Sequence, residues 1–310
     1  MKQYKVSLIV PIYGVEKYIE KFARTALGQT YDNMQFVYVN DGTKDASMQI
    51  LNALIETEYS HRKEDILIIN KVNEGLPLAR KTGLDNATGE YILFADSDDW
   101  MELDAVQKVM AKADETDADI IYFDLVKEYG DRTSYKAERE YTSETKADFI
   151  VNMFNYKSFG YTVTKCFKRR IYTDNVIYIP KLGMHEDIYL MSQIIHYAKT
   201  LAHIPEALYH YRKDNPASFC SQGRSQRHIT STINLLDLYE HYKDNLKGSP
   251  IENVAGSILM RAGQHAIMHG YDFFEKYPYL AADIRKTPIS FRYRTAVPMQ
   301  IMVKIFAFFK

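Results

Sequence analysis

One short segment constrains this chain more than any other: Tyr91-Ile92-Leu93-Phe94-Ala95 runs without a polar break into Asp96-Ser97-Asp98-Asp99-Trp100. A continuous apolar run of that length is the pattern of a strand covered on both faces, as in the middle of a parallel sheet. Ligands of such sheets collect beyond the carboxyl ends of the strands. Three carboxylates placed there repel one another, and a divalent cation, which prefers oxygen ligands, relieves that repulsion. The segment therefore predicts a metal-dependent site. Taken alone, a D-x-D also reads as a solvated turn with an Asp cap before a helix near Leu103. A helix-loop-helix calcium loop fits poorly, because Trp100 and Met101 stand where that loop needs oxygens and a glycine.

The surrounding pattern predicts an α/β fold with a doubly wound, mostly parallel sheet. Short apolar runs at Val6–Val10, Phe36–Val39, Ile66–Ile69, Tyr91–Ala95 and Ile120–Phe123 alternate with stretches of helical period. Between the first two, Val15, Ile19, Phe22, Ala23 and Ala26 fall on one stripe of a helix over 15–27. A later crossover opens at Gly75-Leu76-Pro77 and stops near Gly89. Beyond Gly130 the rhythm changes. Helices are expected at 147–156, 187–198, 225–245 and 251–268, with a short basic stretch at 163–171. The resulting division is 1–130, a nucleotide-binding half, 131–220, an acceptor-side part, and 221–310, a helical region.

Charge bounds the function. With 39 basic and 40 acidic side chains, no nucleic-acid-binding face is advertised. Two cysteines, Cys166 and Cys220, make no disulfide framework, and neither a signal peptide nor a membrane-spanning run is evident, so a cytoplasmic setting is expected.

Three further constellations carry polar chemistry. Asn40-Asp41-Gly42-Thr43 ends the strand beside the first one, so Asp41 faces the crevice expected for Asp96 and Asp98, although Asp-Gly is also an ordinary turn former. Asn73-Glu74-Gly75-Leu76-Pro77 leads into a helix whose first turns carry Arg80, placed to meet an anion or a base edge, or simply to lie on the surface. His185-Glu186-Asp187 opens another helix. Acids in a first turn complement the helix dipole, and a carboxylate lining a cleft can also act as a general base.

Together, Ser7-Leu-Ile-Val-Pro11-Ile-Tyr13, Gln29-Thr30-Tyr31, Asn40 to Thr43, Asn73 to Gly83 and Gly89 to Trp100 resemble the family 2 glycosyltransferases of bacterial surface polysaccharide synthesis. A weaker echo continues through Lys165 to Ile171, Glu186-Asp187 and Tyr209-His-Tyr211-Arg212. The resemblance implies the GT-A fold, a UDP-sugar donor, Mg²⁺ or Mn²⁺, inversion at the anomeric carbon, and a saccharide or polyprenyl-linked acceptor. It also implies roles: Pro11, Tyr13 and Asp41 line a uracil pocket, Arg80 contacts the nucleotide, Asp96 approaches the ribose, Asp98 ligates the metal and Asp187 is the catalytic base. The chain departs from the family's pattern at Asn40, where an Asp is usual, and at Gly14, where Asn is frequent.

From Ile284 to Lys310 the chain has no acid, while Arg285, Lys286, Arg292, Arg294, Lys304 and Lys310 are interleaved with aromatics. Such a tail suits peripheral membrane contact, or docking on the core or on a second subunit of a homo-oligomer. Two other functional classes stay open on sequence: a phosphohydrolase with Asp96 as nucleophile and Asp98 as acid/base, and a non-catalytic nucleotide-sugar-binding partner.

Overall fold

The computed structural model describes residues 3–130, 132–138, 145–154, 157–158, 160–181, 185–216, 218, 224–269, 273–280 and 282–283. The basic-aromatic tail and Cys220 lie outside the described residues. In chain order the elements are β1 (Val6–Ile12), α1 (Ile19–Leu27), β2 (Met34–Asn40), α2 (Ser47–Thr57), β3 (Ile66–Asn70), α3 (Leu76–Asn86), β4 (Tyr91–Phe94), β5 (Trp100–Met101), α4 (Ala105–Thr116), β6 (Ile120–Tyr129), β7 (Arg132–Glu138), α5 (Lys146–Phe154), β8 (Lys165–Lys168), α6 (Arg170–Thr173), α7 (Glu186–Tyr197), β9 (Leu201–Arg212), α8 (Arg224–Tyr242), α9 (Ala255–His269) and α10 (Phe273–Lys276).

All nine strands join one sheet in the order β3-β2-β1-β4-β8-β6-β9-β5, with β7 paired to β6. The first four are mutually parallel. Beyond β4 the pairing is mixed: β8 runs antiparallel to both β4 and β6, β9 parallel to β6, and β5 antiparallel to β9.

Period-two alternation explains why the central strands are buried on both sides. Val6, Leu8, Val10 and Ile12 of β1 join Phe36 and Tyr38 of β2 and the apolar stripe of α1 in one cluster. Ile9, Val37, Val39, Ile92 and Phe94 face the opposite side, where α3, α5, α7, α8 and α9 supply the cover. That second cluster draws residues from all three expected segments, from Ile9 to Leu280. On α3, Gly83 lies so close to β1 that a β-carbon there would stand 2.2 Å from Ile9 Cγ2.

The helices of the second half fall within a few residues of their expected bounds, whereas β8 and β9 break the apolar rule. In β8 the flanking lysines are themselves buried: Lys165 Nζ donates to the Tyr161 carbonyl at 3.2 Å and Lys168 Nζ meets Asp117 Oδ1 at 2.6 Å. In β9, Pro205 and Glu206 fall between the partners of Phe123 and Asp124, where the register shifts. A proline cannot donate to a ladder, so it settles at such an irregularity. No helix among the described residues is long and apolar enough to cross a membrane.

Candidate functional site

The carboxyl ends of β2, β1 and β4 lie side by side at the point where the chain leaves β1 for β2 on one side and later returns to β4 on the other. Asp41 N donates to the Ile12 carbonyl at 3.0 Å, and Ser97 Oγ donates to the Pro11 carbonyl at 2.8 Å, so the loops after all three strands are tied together. Tyr13 stands on this rim with about half of its surface free, at 54 %. Gly14 adopts a positive φ of 68°, which asparagine tolerates and glycine adopts freely, and its N–H donates to Thr43 Oγ1 at 2.9 Å. Asn40 caps the adjoining turn, accepting from Thr43 N at 3.0 Å. Both departures from the family pattern are thus accommodated locally.

Asp41 is buried, and its two oxygens accept from Glu74 N at 3.1 Å and Gly75 N at 2.9 Å. It fixes the loop that delivers α3. Lys71 Nζ stands 3.6 Å from Oδ1, a largely buried ion pair on the same carboxylate.

Arg80 emerges from α3 into the interior. Its two terminal nitrogens donate to Asp96 Oδ1 and Glu186 Oε1, each at 2.7 Å, and the side chain is 5 % exposed. One guanidinium therefore spans the end of β4 and the start of α7. Burial works to lower its pKa, but Asp96, Glu186 and Asp187 more than offset this, and it stays charged. Two of its five N–H donors are taken by these carboxylates, and Nε, buried, has no hydrogen-bond partner among the described residues.

At the start of α7, burial pushes the Glu186 carboxyl above its ordinary range; the neighbouring Asp187 charge adds to this and Arg80 opposes it. Asp187 is raised too, by burial, with Arg80, the Ile188 N–H and Lys165 pulling back. Its Oδ1 accepts from Ile188 N at 2.8 Å. His185, which opens the helix in a left-handed conformation at φ 61°, has its Nδ1 2.6 Å from Ser231 Oγ on α8. The helical region thus anchors the first turn of α7.

Asp98 is half-buried, and its Oδ2 accepts from Asn215 Nδ2 at 2.8 Å. Burial raises its pKa and the Asp96 charge raises it further, so a cation beside it would restore the ionised form. Asp99 behaves differently. It is buried, with Oδ2 accepting from Tyr209 OH at 2.8 Å and Oδ1 from Arg212 N at 2.7 Å. Its oxygens are committed to protein donors, so of Asp98 and Asp99 it is Asp98 that fits a metal. Among the described residues no three or more His, Cys, Asp or Glu side chains form a ready-made cage. That donor set suits Mg²⁺ or Mn²⁺ carried on a diphosphate, since Mg²⁺ commonly takes one or two carboxylates with substrate phosphates and water supplying the rest.

The geometry thus brings Asp96, Asp98, Arg80 and the start of α7 into one constellation bordered by Pro11, Tyr13 and Asp41. The family model described as "Glycosyl transferase family 2" matches residues 7–176, more than half of the chain. The chain belongs to glycosyl transferase family 2. Glycosyltransferase GlyA of Streptococcus pneumoniae is 35% identical over 224 residues, covering 67% of this chain and 30% of that protein. The putative glycosyltransferase EpsH of Bacillus subtilis is 31% identical over 217 residues, 68% of this chain and 62% of that protein. The match therefore spans less than two thirds of each of these relatives. S. aureus TarS 1-349 in complex with UDP-GlcNAc superimposes with a TM-score of 0.60 at 19% identity, covering 90% of this chain and 88% of that one, which shows the GT-A fold.

Several residues of this family 2 member were missed by the sequence reading. Tyr209 and Arg212 lie in a motif that the resemblance had already flagged, without a role. Glu186 was visible beside Asp187 but not as the partner of Arg80, and Asn215 carried no signal at all. Asp187, Glu186, Tyr209, Arg212 and Asn215 all fall beyond the residues that the family model matches.

Proposed function

We propose that the chain moves a sugar from a UDP-sugar to a hydroxyl of a saccharide, or of a saccharide on a polyprenyl lipid, with inversion at the anomeric carbon, in cell-surface polysaccharide synthesis. The observation that carries this reading is the Arg80 bridge. It joins Asp96, on the side where a nucleotide would lie, to Glu186, the neighbour of a half-buried carboxylate suited to take a proton. Pro11, Tyr13 and Asp41 would line the uracil, Asp96 would approach the ribose, and Asp98 would hold Mg²⁺ or Mn²⁺ on the diphosphate. Bound there, the metal would supply Lewis-acid stabilisation of the leaving diphosphate.

Asp187 would accept the acceptor hydroxyl's proton as that oxygen attacks the anomeric carbon from the face opposite the nucleotide. Its raised pKa makes it a stronger base than a solvated aspartate, and the Arg80 charge keeps its ionised form accessible. The GlyA and EpsH names and the UDP-GlcNAc complex of TarS support a nucleotide-sugar donor.

The test is a panel of nucleotide sugars with Mn²⁺, read first by thermal shift and then by release of the nucleotide without acceptor. A UDP-sugar that stabilises the protein and is slowly hydrolysed is the expected outcome. Stabilisation without any turnover, with or without saccharide acceptors, would favour the non-catalytic binder. A trapped phospho-aspartate at Asp96 would favour the phosphohydrolase.

A further inference from the structure

The loop that carries Asp98 is held from a segment more than a hundred residues further along the chain. Tyr209 OH accepts from Asp96 N at 2.9 Å while donating to Asp99 Oδ2 at 2.8 Å. Arg212 donates its backbone N–H to Asp99 Oδ1 at 2.7 Å and its Nε–H to the Asp98 carbonyl at 2.8 Å. Asn215, on the loop after β9 and 5 % exposed, donates Nδ2 to Asp98 Oδ2 at 2.8 Å. The first four contacts fix the backbone and the neighbouring carboxylate. Among the described residues, Asn215 is the side chain that donates a hydrogen bond to the carboxylate of Asp98.

We propose that Asn215 is a positioning residue for the cation: its amide holds Oδ2 of Asp98 and presents Oδ1 as a single-oxygen ligand. This rests on the reading of Asp98 as the metal ligand. A carboxylate on a turn rotates broadly about its terminal torsion, because such sp³–sp² torsions have wide wells. Left free, it samples orientations in which neither oxygen, or both, faces the ion. Mg²⁺ demands near-ideal octahedral geometry at about 2.0–2.1 Å, and a carboxylate held by a donor on one oxygen meets that demand with the other. An amide suits this task because it is neutral. A lysine or arginine in its place would satisfy the same oxygen but would repel the ion.

The test separates metal-dependent from metal-independent binding. UDP affinity is measured by calorimetry with Mn²⁺ and again with EDTA, for the wild type, Asn215→Ala, Asn215→Ser and Asp98→Ala, alongside each protein's unfolding midpoint. Partners of this kind commonly change metal affinity by about 10- to 100-fold. Asn215→Ala should therefore lose on the order of tenfold or more of the gain that Mn²⁺ confers, with its affinity in EDTA unchanged. Asn215→Ser, too short to reach Asp98, should behave the same way and serves if the alanine variant does not fold. Full retention of the Mn²⁺ gain in these variants, with loss of it in Asp98→Ala, would overturn the role of Asn215 alone. An equal fall with and without metal would assign Asn215 a purely structural role and overturn it too. If the wild type itself gained nothing from Mn²⁺, the assignment of Asp98 would fall, and this proposal with it.

Discussion

Replacing Arg80 with methionine removes the guanidinium that, among the described residues, bridges Asp96 and Glu186, while keeping most of the side chain's apolar bulk. Two contacts of 2.7 Å are lost, in a place where the guanidinium is 5 % exposed, Glu186 11 % and Asp96 28 %. Hydrogen bonds to charged groups contribute about 1.5–3 kcal/mol each, and breaking a buried ion pair by removing one partner costs about 3–5 kcal/mol. The loss is expected near the middle of that range at about pH 8. It should shrink toward acid, because Glu186, already raised by burial, then takes up a proton instead of remaining an unpaired charge. The sign follows from linkage. An acid whose folded pKa lies above its unfolded value makes the folded state bind more protons, so stability falls as pH rises from the unfolded value to the folded one. Removing Arg80 widens that interval. Urea denaturation of both proteins at about pH 5 and about pH 8 measures the difference, and adding Glu186→Gln to Arg80→Met should recover part of the loss at the higher pH. A deficit under about 1 kcal/mol at both pH values would mean that the bridge is screened like a surface pair and would refute the argument.

Asp187→Asn should keep UDP-sugar affinity by calorimetry and lower kcat by about 10²- to 10⁴-fold, the usual contribution of a general base; substantial turnover would remove it from that role. Because Asp187 must be ionised to act and burial raises its pKa, the acidic limb of the wild-type kcat–pH profile should lie above the ordinary aspartate range; a limb at or below that range would contradict the assignment. Gly83→Ala pits about 1 kcal/mol of helix propensity against a β-carbon only 2.2 Å from Ile9 Cγ2. Overpacking of this kind typically costs about 1–3 kcal/mol, so a net loss of stability is expected in denaturation, and a gain would refute the close approach of α3 to β1.

The first half of the fold was legible because its strands are apolar throughout and its helices carry a clean stripe. Strands β8 and β9 were hidden for opposite reasons. Lys165 and Lys168 bracket β8 with charges that only tertiary contacts satisfy, and Pro205 with Glu206 interrupts β9 where the ladder itself is irregular. The site divides in the same way. Asp96 and Asp98 announce themselves by their place after a buried strand. Whether Arg80 reaches a ligand or a carboxylate depends on Glu186, 106 residues away, and no local pattern records that separation. Asn215 is invisible for the same reason, 117 residues from its partner.

The place of β9 between β6 and β5 has a consequence for biosynthesis. Ile120 of β6 waits for Leu201, so about 80 residues must leave the ribosome before that edge can close, roughly 4–16 s at ~5–20 residues per second. Through that interval a nascent chain carries an open, largely apolar ribbon, the kind of surface that recruits holding chaperones or sticks to a neighbouring polysome's product. Slow codons placed before the β9 coding region would lengthen the hazard, and expression yield should fall accordingly.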